Sequence, residues 1–448
     1  MLNILLFGIL AFTVIATFIR PSYGLACFIS ARILIPEVVR TPGLEGLSFN
    51  STLILIITIS VLVNGLAKTY TRLAKDTYFK CLMFFISSCA VLLPFSSYED
   101  LQFQYNSLIQ YFFTDILPII LTIAVVKTKC DLRIVVQAFL WSTILCCVYA
   151  IMAYLMRDNP YVNYFQAITG WRDTSLGEEV WYTTGRGVST SGTFLHANGF
   201  GYFISMSIPL FIYLQYTAQY NKRIIFIALV LLIVNVFLCK KRSPIVSISV
   251  FLILWMYLKR KTWNILLYVK ILLLGTAALL IIFMVPALES IRSMIETSFF
   301  FWDDKLLAAK DVGGSSWELR ILQVVYPFIE IKDNILLGKG FGWCSWYLNQ
   351  YELHPVLFGF ETILSTAVCQ FGILGYLMYY MLFYQSYKYS RPYKNGKVNY
   401  QLLALVTMIA LVVATGLNYF FFFGLGCVIM NKQETYMHEK DFHSHSVF

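Results

Sequence analysis

The chain is a succession of apolar runs of membrane-crossing length joined by mostly short polar linkers, and that pattern limits what it can fold into. A helix needs about 20 mostly apolar residues to cross roughly 30 Å of hydrocarbon. Runs that meet or approach this length are 2–19, 50–67, 79–96, 107–126, 134–156, 197–219, 224–239, 243–258, 264–285, 358–385 and 401–430. The run 23–35 is shorter and carries Arg32, which suits a tilted span or a re-entrant segment. The last run is long enough to be a broken pair, with Gly416 and Asn418 at the break. The expected fold is all-α, a polytopic transmembrane helical bundle of about 12 spans (roughly 11–13) with two long external loops.

Composition removes the soluble alternative. Hydrophobic residues make up 58% of the 448 positions and charged residues 13%, against about 25% charged in ordinary globular domains. Mean hydropathy is +0.69. The net charge of +10 has no basic domain behind it, so nucleic acid is not an expected partner and membrane lipid is. Of ten cysteines, Cys81, Cys89, Cys146, Cys147, Cys369 and Cys427 lie in apolar runs, and none of the spacings suggests zinc. Cys344 stands in a long polar loop, and no structural disulfide is expected there. The first run lacks a basic n-region and a small-residue cleavage site, so it reads as a retained span.

Cations then orient the bundle. Lys68, Arg72, Lys75 and Lys80 share one parity with Lys127, Lys129 and Arg133, with Lys222-Arg223, with Lys259-Arg260-Lys261 and with Lys388 to Lys397. These linkers are expected to face the cytoplasm. The opposite face takes 36–49, 97–106, 157–196 and 286–357, and long loops with little structure of their own tend to be functional. The organisation is thus N-terminal spans (1–156), a first long external loop (157–196), central spans (197–285), a second long external loop (286–357), C-terminal spans (358–430) and a polar tail (431–448). Histidines 438, 443 and 445 of that tail read as solvated rather than as metal ligands. One linker, Lys240-Lys241-Arg242, is external by parity and breaks the charge rule. Cations there suit a fixed site for an anionic ligand such as a lipid pyrophosphate; headgroup contact or a miscounted span is the alternative.

The long external loops concentrate the residues able to do chemistry. They hold Trp171, Trp181, Trp302, Trp317, Trp343 and Trp346, whose flat faces suit sugar rings or anchor the loops at the interface. They also hold Arg157, Arg172, Arg186, Arg292 and Arg320, planar forks that fit phosphate. After Arg186 come Ser191-Gly192-Thr193-Phe194-Leu195-His196-Ala197-Asn198-Gly199 at the mouth of a span. After Arg320 come Asp333-Asn334 and Leu337-Gly338-Lys339-Gly340-Phe341-Gly342, then His354-Pro355, Glu361 and Gly372-Ile373-Leu374-Gly375. The glycine triplet lacks the lysine pattern of a phosphate loop and reads as a flexible turn.

In this order the motifs resemble the O-antigen ligase and polymerase superfamily (WaaL-like and Wzy-like membrane glycosyltransferases). They run from Arg and Gly-Thr-Phe-x-His-x-Asn through Lys-Arg-Ser at a span start and Arg…Asp-Asn-x-Leu-Leu-Gly-x-Gly to Gly-Ile-Leu-Gly, over residues 185–385. The resemblance implies a metal-independent glycosyltransferase of the bacterial inner membrane with no cofactor. Its substrate would be an oligosaccharide on undecaprenyl pyrophosphate at the outer face, and a chain-length regulator is a further candidate partner. Arg186, Arg242 and Arg320 would hold pyrophosphate or glycan, with Arg172, Lys241, His196, Asn198, Trp317 and Trp343 as further binding candidates. Ligases carry a His at a fixed distance before Gly-x-x-Gly; counting back from Gly372, that place holds Glu361. The departure favours a polymerase of surface-polysaccharide repeat units over a ligase acting on lipid A core. Glu361 is the first candidate for the base and His354 the second. A lipid-linked oligosaccharide transporter is the alternative of another class, although no internal repeat supports it.

Overall fold

The computed structural model describes residues 2–36, 38–63, 77–96, 100–169, 189–215, 221–259, 265–300, 303, 317–351, 354–357, 359–360, 362–389, 419–420 and 423–427. The chain is overwhelmingly helical over these residues. In order the helices are α1 Leu2–Ile19, α2 Pro21–Leu34, α3 Phe49–Val63, α4 Thr77–Leu92, α5 Leu101–Tyr111, α6 Leu117–Val125, α7 Lys129–Met156 and α8 Pro160–Thr169. Then follow α9 Ala197–Gln215, α10 Lys222–Leu238, α11 Arg242–Lys259, α12 Ile265–Met284, α13 Glu289–Phe299, α14 Trp317–Glu330, α15 Trp343–Tyr351 and α16 Ile363–Tyr389. The sheet present is a small antiparallel hairpin, β1 Arg40–Thr41 with β2 Leu44–Ser48.

Five described segments are long and apolar enough to cross a membrane: Leu2–Ile19, Thr77–Phe95, Leu101–Val125, Lys129–Met156 and Ile363–Ser386. Their surfaces are inverted relative to a soluble protein. Ile4, Phe12, Leu155 and Phe84 stand exposed, whereas Thr13, Thr17, Thr122, Thr143 and Ser386 are buried. Each of these buried hydroxyls donates to the carbonyl four residues earlier in its own helix, as Thr122 does to Pro118 at 2.7 Å and Thr143 to Phe139 at 2.7 Å. Hydroxyls satisfied locally need no water, which suits a hydrocarbon surround.

The two ends of α7 organise the bundle. Twenty-eight residues at about 1.5 Å rise separate them by roughly 40 Å. At its start, Thr128 and Asp131 form a capping box: the Thr128 hydroxyl accepts from Asp131 N at 3.2 Å, and the Asp131 carboxylate accepts from Thr128 N at 3.0 Å. Arg20, in the one-residue joint between α1 and α2, donates to Asp131 at 2.7 Å. At the other end, Tyr161 donates to the Leu34 carbonyl, Thr193 to Ile33 O at 2.6 Å, and Thr190 to Ala150 O at 2.9 Å. The short run 23–35 is therefore a buried helix running parallel to α7, packed on α1, α3 and α7.

The two segments expected to be external are not bare loops. The first carries α8, the second α13, α14 and α15; helices of 9–14 residues fall below the length that a search for spans detects. Two breaks shape the long helices. Between α5 and α6 the chain makes one wide π turn, Phe112–Ile116, ahead of Pro118. Asp115 in that turn accepts from the Tyr419 backbone N–H at 2.9 Å and from the Thr114 hydroxyl at 2.8 Å.

The second break is in α16 at Gly372, where φ is 63° and ψ −153°. Lys339 N and Gly340 N donate to the carbonyls of Cys369 and Gln370, each at 2.8 Å. In return Ile373 N and Leu374 N donate to the carbonyls of Ile335 and Leu336, at 3.0 and 3.3 Å. Four helix groups released by the break are thus paired by the one segment 335–340. This explains the glycine triplet. Gly338, Gly340 and Gly342 all have positive φ, and a Cβ on Gly338 would meet Gly372 N at 2.6 Å. The turn expected from sequence is there, clamped between a helix break and the Ser96–Ser107 end of the bundle.

Candidate functional site

The motif at 191–199 and the cations at 240–242 come together. Between α10 and α11 only three residues turn the chain, and Lys240 takes a left-handed φ of 50°. Thr190 N donates to Leu238 O at 3.1 Å, which fixes the start of the motif segment on this turn. Gly201, in the first turns of α9, is held against the same turn: a Cβ there would stand 2.6 Å from Pro244. His196 is half-buried just ahead of α9, its carbonyl accepting from Phe200 N at 3.1 Å, and Asn198 is exposed on the first turn.

The three cations differ. Lys240 is 4% exposed with its ammonium 5.7 Å from the centre of the Tyr154 ring. Burial pulls that ammonium below the ordinary lysine range. Lys241 and Arg242 are half-buried. Arg242 reaches the Thr297 carbonyl at 3.5 Å, near the C-terminus of α13, where helix carbonyls lack intrahelical partners. Arg292 pairs with Glu296 on that helix at 2.8 Å. The turn therefore presents positive charge against α13, an arrangement suited to a pyrophosphate.

The second cluster lies under α16. Trp343, Cys344, Leu357, Phe360 and Cys369 form its buried centre, with Tyr326, Trp346 and Tyr347 packed around it. Trp343 is 5% exposed, within 5.3 Å of the Tyr347 ring and 5.6 Å of the Phe360 ring, with Lys339 Nζ 5.9 Å from its centre. His354 is enclosed by Tyr326, Tyr347 and Phe360 at 5.4, 5.1 and 5.4 Å. Its Nδ1 accepts from Val356 N at 3.1 Å and Leu357 N at 2.9 Å, and its Nε2 faces Glu330 Oε2 at 3.5 Å.

Of the residues singled out from sequence, Lys241, Arg242, His196 and Asn198 thus belong to one region, and His354 and Trp343 to the other. Trp317 and Arg320 open α14, and Glu330 closes it. Arg172, Arg186 and Glu361 lie outside the described residues, as do Trp171, Trp181 and Trp302 and the break expected at Gly416 and Asn418. Glu330, Tyr326 and Tyr347 were not singled out by sequence; Glu330 precedes His354 by 24 positions, a separation that no helix or strand period links. Among the described residues no group of three His, Cys, Asp or Glu side chains could hold a metal ion. The chain matches no protein-family model and no curated protein.

Proposed function

We propose that the chain is a bacterial plasma-membrane protein of about 12 spans that polymerises oligosaccharide repeat units carried on undecaprenyl pyrophosphate, building a surface polysaccharide. The observation that carries this reading is that the residues flanking the Gly-Thr-Phe-x-His-x-Asn segment, Thr190 and Gly201, meet those flanking the Lys240-Lys241-Arg242 turn, Leu238 and Pro244. Two motifs whose order gave the resemblance to O-antigen polymerases and ligases are neighbours in space. Five membrane-length apolar helices support the membrane setting.

In this reading the leaving group is already activated, and the chief demand is to stabilise negative charge as the C–O bond to pyrophosphate breaks. Fixed cations in a water-poor cleft meet that demand without reorganising. Lys241 and Arg242 are placed for it, joined by Arg186 and Arg320, with Arg172, His196 and Asn198 along the glycan or pyrophosphate. Trp317 is the candidate for stacking on a sugar ring, whereas Trp343 is enclosed by Tyr347 and Phe360. The attacking hydroxyl also needs a base, and sequence points to Glu361 and His354 on the segment leading into α16.

The test is a deletion strain of the source bacterium, with its glycans separated by length. Collapse of the ladder to a single repeat unit on its carrier is the expected result, reversed by the wild-type chain. Full-length polymer held on undecaprenyl pyrophosphate would instead make the protein a ligase. Repeat units trapped on the cytoplasmic face would make it a transporter.

A further inference from the structure

His354 has no ring nitrogen left for a substrate. It is 2% exposed, and Nδ1 accepts from two backbone N–H groups. A nitrogen accepting in that way carries no proton, so the neutral ring keeps its proton on Nε2. Nε2 points at the Glu330 carboxylate, 3.5 Å away. The histidine is thus oriented by the turn 355–357 and in turn faces Glu330.

Glu330 has the opposite character. Its side chain is 22% exposed, and it ends the helix that Trp317 and Arg320 begin. A helix C-terminus favours a cation rather than a carboxylate, so helix stability does not account for this residue. Around it stand the phenol-bearing rings that line His354. Burial and the Glu330 charge together push the Tyr347 phenol upward, so Tyr347 stays protonated beside the carboxylate. A partly open carboxylate 3.5 Å from a buried imidazole and near the Tyr347 phenol has the form of a general base.

We infer that Glu330 is the proton acceptor for the attacking sugar hydroxyl and that His354 is its positioning residue. The inference rests on the polymerase reading and deepens it. In the step, the acceptor hydroxyl oxygen bonds to the anomeric carbon of the lipid-linked chain, and its proton passes to a Glu330 oxygen. The bond from that carbon to pyrophosphate breaks, and its electron pair leaves with undecaprenyl pyrophosphate. Glu330 then returns the proton to water.

The experiment uses the full chain in lipid nanodiscs, fed with lipid-linked repeat units extracted from the deletion strain. Wild-type protein that makes no ladder overturns the polymerase reading and this inference with it. With an active wild type, Glu330→Gln is expected to lower the rate by about 10²–10⁴-fold at unchanged melting temperature. Glu330→Gln at the wild-type rate overturns the inference alone. If Glu330→Gln does not accumulate, Glu330→Asp carries the test: kcat falls with KM unchanged, and wild-type kcat overturns the inference. His354→Asn keeps an acceptor for Val356 N and Leu357 N but loses the Nε2 proton. It should lower kcat about tenfold with KM unchanged, and add nothing to Glu330→Gln because the two act as a unit. Effects of the two variants that multiply would leave His354 merely structural and overturn its assigned role.

Discussion

Gly338 and Gly372 meet backbone to backbone, both with positive φ, and the closest approach leaves no space for a methyl group on either. At Gly372 the ψ of −153° adds a conformation that glycine alone adopts readily. A Cβ there would also strike the Ile335 and Leu336 carbonyls, the two that accept from the lower half of the broken helix. Gly372→Ala should therefore destabilise by at least about 1–3 kcal/mol from backbone strain, and Gly338→Ala should also destabilise. Thermal unfolding in detergent checks both; Gly375→Ala in the same helix, without positive φ, separates strain from simple crowding.

Cys130 is exposed, Cys27 and Cys81 are intermediate, and the other seven cysteines are buried. Cys130 sits beside Arg20 at the end of α7 assigned to the cytoplasm. A membrane-impermeant maleimide should label the protein in inside-out vesicles and leave it unlabelled in intact cells, with Cys130→Ser removing most of the signal. Labelling of Cys130 in intact cells would reverse the orientation.

Lys240→Met should raise the melting temperature at neutral pH, because it keeps the apolar stem against Tyr154 and removes a charge that burial disfavours. The sign of the pH dependence follows. Below its depressed folded value the lysine is charged in both states, and the folded state bears the burial. As pH rises past that value the folded lysine loses its proton while the unfolded one keeps it up to about 10.4. Wild-type stability should then gain on the variant through that alkaline window. Melting curves of the two proteins across the window, compared at each pH, check it.

Arg242→Ala should cut transfer by about 10²-fold, the usual effect of removing one donor from a developing negative charge. Arg242→Lys should recover part of this, since charge is kept and the planar fork lost. The loss should fall on kcat, with protein level in the membrane unchanged. An Arg242→Ala protein transferring at the wild-type rate would remove this turn from the mechanism.

The mostly helical fold was legible because apolar runs of about 20 residues with few charges satisfy their backbone in a bilayer as helices, and hydropathy alone reports them. Less legible was how the runs break. The sequence around Gly338 and Gly342 reads as a turn, but its partner at Gly372 is some thirty positions on, and backbone pairing across a helix break has no residue signature. The cations at 240–242 were visible as an exception to charge placement. That Lys240 is buried against Tyr154 while Lys241 and Arg242 are only half-buried depends on a left-handed residue with no signature in sequence. The His354–Glu330 pair was half visible: the histidine stood out beside a proline, whereas the glutamate ended an amphipathic helix too short to register as a span.

Asp115 adds a constraint in time. Its backbone partner Tyr419 follows it by 304 residues, and a ribosome adding about 5–20 residues per second needs roughly 15–60 s to deliver that partner. During the interval a carboxylate stands in a segment apolar enough to enter the bilayer, with the Thr114 hydroxyl as an interim donor. The chain therefore carries a built-in delay between insertion and final closure. Until Tyr419 arrives, this link between an early and a late segment is missing, and the bundle closes only when synthesis is nearly complete.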